Sequence, residues 1–175
     1  FKHVMENISS NLISTINLLD HGPKFKKFIH IGSSEMYGLQ KKIPFDVKEM
    51  PNPMSPYSLA KLSSESYARL KYRQSKINLV CIRPFNTFGP YQSEKAIIPE
   101  IIIKCLNGKE VKTTLGQQTR EFNFIDNIID GFTLIAKKVN YKDIPINLGS
   151  NRPIKIRNLV KKIHQLTRSN SVLKI

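Results

Sequence analysis

The sequence is poor in cysteine, in acid and in long apolar runs. Its two cysteines, Cys81 and Cys105, stand singly in apolar surroundings, with no Cys-x-x-Cys and no Cys/His cluster. This excludes a disulfide framework and a thiolate zinc site, and no other metal-ligand spacing stands out. No apolar run approaches the roughly 18 residues that a membrane span requires, and the opening FKHVMENISSN has no apolar signal core. Secretion and membrane insertion are therefore unsupported, and the expectation is a soluble, cytoplasmic protein. Acidic residues number 13 against 28 Lys plus Arg, a net charge of +15 over 175 residues. So basic a chain raises the question of nucleic acid. The excess is spread, however: the first hundred residues carry 14 basic and 8 acidic groups, and the rest carry 14 and 5. No aromatic RNA-binding motif or recognition helix accompanies it, so nucleic acid is not the expected partner, and a non-catalytic basic binding module is the lesser alternative.

What is present is an alternation of helix-like and strand-like pieces. Val4, Ile8, Leu12, Ile16 and Leu19 form a helical stripe that Gly22-Pro23 stops. Residues 26–31 are a short apolar run suited to a buried parallel strand, and 44–56 form a Pro-rich loop. Ser55 and Pro56 open a helix that continues to about Gln74. A second buried strand is predicted over 77–83, broken by Pro84. Beyond Gly89-Pro90 the pattern predicts a helix over 97–106, two short strands within 111–124, and a helix capped by Asp126 and running to about Lys138. A strand over 144–148 and a helix over 156–166 complete it. The fold class is α/β with a parallel sheet.

Three runs carry chemistry. In Tyr57-Ser58-Leu59-Ala60-Lys61 the phenol and the ammonium lie one helical turn apart on one face. A positive charge there favours phenolate and would bring a tyrosine from about 10 towards the range of a general base. Alone, that spacing is common by chance. Gly32-Ser33-Ser34-Glu35-Met36-Tyr37-Gly38 follows the first strand, and Arg83-Pro84-Phe85-Asn86-Thr87-Phe88-Gly89-Pro90 follows the second. Both are strand C-terminal ends, where open α/β sheets bind ligands. The four histidines are scattered, and His30, inside the first strand, reads as a satisfied core residue rather than a ligand.

In this order and at these separations the three runs resemble the extended short-chain dehydrogenase/reductase family, specifically its NAD-dependent nucleotide-sugar epimerases and dehydratases. Residues 11–19, NLISTINLL, and 119–122, TREF, resemble two further family segments. The resemblance implies the C-terminal part of a Rossmann-like doubly wound parallel sheet over residues 1–90. It implies a small α/β substrate-binding subdomain over 91–175, with a strand near 144–148 returning to the sheet. It also implies roles. Ser33, Tyr57 and Lys61 would be catalytic: the serine hydrogen-bonds sugar and tyrosine, the tyrosine takes the sugar 4-OH proton, and the lysine holds the nicotinamide ribose and lowers the tyrosine pKa. Asn11, Tyr57, Lys61 and Pro84 would face NAD. Ser34, Asn86, Pro99 and Arg120 would bind a nucleotide-sugar, expected to be UDP-linked, with Arg120 on the pyrophosphate. A homodimer is expected by resemblance alone.

Glu35 separates the possible reactions. The family's 4,6-dehydratases carry a glutamate here, which abstracts the C5 proton once C4 is a ketone, whereas many 4-epimerases do not. The alternative is that Glu35 only bonds backbone within its loop. Ser34 stands where dTDP-glucose dehydratases carry an aspartate acid. The run from Phe85 to Pro99 most resembles the retaining UDP-N-acetylglucosamine 4,6-dehydratases. Tyr91 and Glu121 depart from the family's usual Arg or Lys and Asp. No glycine-rich turn for the cofactor diphosphate is present; the first glycine, Gly22, stands alone. The expectation is a piece of a longer dehydratase, with a short protein that has lost catalysis as the other reading. On either, these 175 residues alone are expected to be inactive.

Overall fold

A computed structural model describes residues 3–40, 43–140 and 144–174. In chain order the elements are α1 (Val4–Asn7), a π-helical turn (Ile8–Ile13), α2 (Ser14–His21), β1 (Phe28–Ile31), a 3₁₀ turn (Ser34–Tyr37), α3 (Pro56–Ser75), β2 (Leu79–Pro84) and β3 (Thr87–Phe88). There follow α4 (Ile97–Leu106), β4 (Val111–Lys112), β5 (Thr119–Glu121), β6 (Asn123–Phe124), α5 (Ile125–Lys138), β7 (Ile146–Leu148), β8 (Pro153–Lys155), α6 (Ile156–Leu166) and β9 (Leu173–Lys174). The chain forms two compact units, one of Phe1–Phe85 with Ile128–Gly149, the other of Asn86–Asn127 with Ser150–Ile175.

The first unit is built on β2. Leu79, Val80, Cys81 and Ile82 are all buried, as an uninterrupted apolar run in the middle of a parallel sheet must be. Because successive side chains point to opposite faces, the strand serves two cores. Leu79 and Cys81 meet Ala68, Tyr72 and Leu19 on the α2–α3 side, while Val80 and Ile82 meet Phe132 and Ile135 of α5 on the other. Each such buried aliphatic side chain contributes on the order of 2 kcal/mol. The sheet order is β1-β2-β7, both pairs parallel, with Phe28 opposite Leu79 and Arg83 opposite Asn147. Pro84 closes β2 rather than breaking it; as the last residue of the strand it can lack an N–H without leaving a gap in the ladder.

Two local features differ from the periodicity. The first helix is not uniform: its middle turn widens to a π-helix where side chains bond carbonyls one turn back. Ser10 donates to Glu6 at 2.6 Å, Ser14 to Ser10 at 2.6 Å and Thr15 to Asn11 at 2.7 Å. In α5, Asp126 is not the cap; the helix begins at Ile125 and Asp126 lies in its first turn, where a carboxylate still opposes the helix dipole. By contrast α3 starts as its sequence dictates, with the Ser55 hydroxyl accepting from Ser58 N–H at 3.1 Å and Pro56 in the first turn.

The second unit packs α4 against α6. Ile98, Ile101 and Cys105 meet Ile156, Val160 and Ile163, with Val111 beside them. The residues of α6 fall at i, i+4 and i+7, one stripe of a helix whose opposite face carries exposed Lys161 and Lys162. Three two-stranded ribbons complete this unit: β3 with β6 and β4 with β9, both parallel, and β5 with β8, antiparallel. Among the described residues no helix is long and apolar enough to cross a membrane, and no group of three His, Cys, Asp or Glu side chains could hold a metal ion.

Candidate active site

The site in the first unit starts where β1 ends. Gly32 N–H still bonds the Ile82 carbonyl of β2 at 2.7 Å, extending the ladder one residue past the strand. A Cβ here would lie 3.2 Å from Glu65 Oε2 and from that same carbonyl, so a larger residue would fit only if these neighbours moved by a few tenths of an ångström. Ser33 follows in extended conformation and caps the 3₁₀ turn. Its hydroxyl accepts from Glu35 N–H at 3.2 Å, and its own N–H donates to Met36 Sδ at 3.4 Å. The turn buries Met36 and Tyr37 completely and leaves Glu35 exposed and Ser34 half-buried.

Tyr57 and Lys61 approach the turn from α3. Tyr57 is half-buried, and burial is the main cause that pushes its phenol above the usual value. A hydrogen bond with the Ser33 hydroxyl pulls it down, and the Glu35 charge pushes it up further. Lys61, expected from the spacing to lower it, is turned to the backbone. Its ammonium donates to the Ile31 carbonyl at 2.9 Å and stands 5.9 Å from the centre of the Tyr57 ring, and its own pKa is lowered by burial. The structure thus brings Ser33, Glu35, Tyr57 and Lys61 together, with the tyrosine as a neutral phenol near pH 7.

Beside them is a cavity of about 240 Å³ lined by Ser10, Asn11, Ser14 and Thr15, by the residues of β1 and by Lys61. Asn11 sits in the π-helical turn, its side-chain amide donating to the Asn7 carbonyl at 2.9 Å. Pro84 is not among the lining residues; it ends β2, followed by Phe85, whose N–H bonds the Leu148 carbonyl at 3.0 Å.

The remaining candidates belong to the second unit. Asn86 is exposed; its side chain donates to the Glu121 carbonyl at 3.0 Å while its own carbonyl accepts from Asn123 N–H at 2.8 Å. Pro99 is half-buried in the first turn of α4. Arg120 is exposed on β5, opposite Ile154, with one guanidinium N–H on the Thr119 carbonyl at 3.0 Å. Its neighbour Glu121 accepts from both the N–H and the hydroxyl of Ser150.

One pairing is not among the sequence expectations, although Arg83 itself opens the third run. Glu65 of α3 and Arg83 of β2 form a bidentate pair, Nε to Oε2 at 3.0 Å and NH2 to Oε1 at 2.8 Å, with Tyr37 against the guanidinium. Its signal was a charged residue inside the apolar run of β2 together with a glutamate eight residues after Tyr57 on the same helical face.

The profile of the "NAD dependent epimerase/dehydratase family" matches residues 2–149. A dTDP-D-glucose 4,6-dehydratase of Dictyostelium discoideum is 30% identical over 93% of this chain and 41% of its own length. A putative UDP-glucose 4-epimerase of Methanocaldococcus jannaschii is 30% identical over 85% of this chain and 50% of its own. Among solved structures, the UDP-glucuronic acid 4-epimerase of Bacillus cereus in complex with NAD superimposes with a TM-score of 0.90. It is 28% identical, covering 99% of this chain and 58% of that one. The chain therefore spans about half the length of the relatives it matches.

Proposed function

Because the chain belongs to the NAD dependent epimerase/dehydratase family, we propose that Ser33, Glu35, Tyr57 and Lys61 form the proton-transfer face of a nucleotide-sugar 4,6-dehydratase. The observation that carries the dehydratase reading is the exposed Glu35 carboxylate, held in the one-turn helix that Ser33 caps and close enough to Tyr57 for its charge to act on the phenol. The reading applies to a polypeptide that also supplies a cradle for the cofactor diphosphate. These residues fit only the other end of NAD: Asn11 and Lys61 line one cavity, and no glycine-rich turn is among them. Bound there, NAD would supply the hydride acceptor for C4 of the sugar and the hydride donor for C6.

The chain's own residues handle the protons. The Ser33 hydroxyl and the Tyr57 phenol together address the 4-OH, and Tyr57 removes its proton as C4 becomes a ketone. Since burial holds the phenol above its usual pKa, its base form is scarce near pH 7 and grows as pH rises. The ketone acidifies the C5 proton; the Glu35 carboxylate takes it and, as the carboxylic acid so formed, gives it to the 6-hydroxyl, which departs as water. Ser34, an alcohol, supplies a hydrogen bond rather than a proton to the departing group. Lys61 would hold the nicotinamide ribose. Arg120, with Asn86 and Pro99, binds the UDP part in the second unit. The same reading takes a second copy of the chain as protein partner and no nucleic acid.

A second reading, a 4-epimerase, is supported by the epimerases among the relatives and uses Ser33, Tyr57 and Lys61 without Glu35. Product identity decides between them. A chimera in which the N-terminal part of the Bacillus cereus epimerase precedes Phe1 is incubated with NAD and UDP-N-acetylglucosamine. Dehydration gives a 4-keto-6-deoxy sugar lighter by one water, and epimerisation gives a stereoisomer of unchanged mass.

A further inference from the structure

The buried pair beneath the Ser33 turn has no part in the proton transfers. Glu65 is 1% exposed and Arg83 3%, and their fork-to-fork geometry is the most directional ion pair available to proteins. The guanidinium carbon stands 4.8 Å from the centre of the Tyr37 ring, and the Tyr37 hydroxyl donates to Asn147 Oδ1 at 2.7 Å. The Asn147 amide in turn donates to the Phe45 carbonyl at 3.0 Å. One continuous chain of contacts, buried at Glu65, Arg83 and Tyr37 and half-buried at Asn147, therefore runs from α3 through β2 and the 3₁₀ turn to β7. It touches the site at two points: Gly32, which lies against the Glu65 carboxylate, and Tyr37, which ends the turn that Ser33 begins.

A buried ion pair of this kind adds less stability than well-packed apolar groups of equal size, because both charges lose their water. What it supplies is geometry. Apolar contacts between α3 and the sheet, made by Ala68 and Tyr72, tolerate small slides and rotations of the helix; a two-bond fork does not. Tyr57 lies two turns upstream of Glu65 on the same helix, so its reach towards Ser33 depends on that rotation.

We propose that Glu65 and Arg83 are positioning residues: their fork fixes the rotation and height of α3 against β2 and the Ser33 turn, and thereby sets how closely the Tyr57 phenol approaches the Ser33 hydroxyl. The inference rests on the reading of Ser33 and Tyr57 as partners, not on which reaction they serve.

The test follows the Tyr57 phenol in the full chain by NMR of ¹³Cζ-labelled tyrosine, assigned with Tyr57→Phe. In the parent chain, Ser33→Ala removes a hydrogen bond that favours phenolate, so the Tyr57 midpoint rises, on the order of half a pH unit. In the double variant Glu65→Leu/Arg83→Met, of similar volume and without charge, Ser33→Ala is expected to leave the midpoint where it was. In Arg83→Lys, which keeps the charge and loses the fork, the same loss of response is expected, and this variant carries the test if the double variant does not fold. A Tyr57 midpoint that still rises with Ser33→Ala in either folded variant, as it does in the parent, overturns the proposal. No response in the parent chain overturns the Ser33–Tyr57 partnership itself, which separates the two failures.

Discussion

The Lys61 ammonium is hydrogen-bonded to the Ile31 carbonyl at 2.9 Å, at the point where β1 gives way to the Ser33 turn. This contact uses the lysine to tie α3 to the end of the strand and leaves the neighbouring phenol under the control of burial, Ser33 and Glu35.

The Tyr57 midpoint is therefore expected above the ordinary tyrosine value of about 10, and Lys61→Met is expected to leave it unchanged in the isolated chain. Since the folded value exceeds the unfolded one, the stability linked to this group is full below pH 10 and is lost as pH rises through the folded value. The ¹³Cζ titration reads the midpoint directly; a fall below 10 that Lys61→Met reverses contradicts this electrostatic picture.

His30 gives the opposite sign. Burial, and then the Lys61 charge, lower its pKa to about 4, and its Nε2 lies 3.3 Å from the Ser64 hydroxyl. The unfolded chain takes up this proton near pH 6.5, so the associated stability is full above pH 6.5 and disappears as pH falls to about 4. Its size is about 3 kcal/mol. Urea unfolding at pH 7 and pH 4 should show a larger acid loss in the parent than in His30→Gln; equal losses contradict the assignment.

Arg120 carries an exposed guanidinium with one N–H on backbone, and charge-assisted bonds to phosphate contribute about 1.5–3 kcal/mol. Arg120→Ala should weaken UDP binding about tenfold or more by calorimetry. Salt-sensitive binding of an RNA oligomer that survives this substitution would instead favour a basic binding module.

Isolated, the 175 residues should bind NAD weakly and show no turnover, because Asn11 and Lys61 can hold only one end of it. Full turnover of UDP-N-acetylglucosamine by the isolated chain with added NAD contradicts that expectation.

How much of this was legible in the sequence depended on the length of the signal. The apolar run of β2, the Ser55-Pro56 start of α3 and the stripe of α6 are long or punctuated, and each appears close to its predicted bounds. The ribbon strands β3, β8 and β9 have two or three residues, too few to show a period of two, and they pair only because the second unit brings them together. The cluster of Ser33, Glu35 and Tyr57 was visible because its members sit in recognisable runs. The direction in which Lys61 points was not, since a spacing of four residues places two side chains on one face without saying which neighbour wins the ammonium. Likewise Glu65 and Arg83 stand 18 residues apart in chain, and only the packing of α3 on β2 reveals the pair.

The most direct test of the central claim, that Glu35 takes the C5 proton, is the fate of that proton in heavy water. In the chimera supplied with NAD and UDP-N-acetylglucosamine, the product is expected to carry solvent deuterium at C5, and Glu35→Gln to abolish both product and label while leaving the first oxidation at C4 detectable as NADH. Product formed at an undiminished rate by Glu35→Gln, or product without deuterium at C5, would contradict the account.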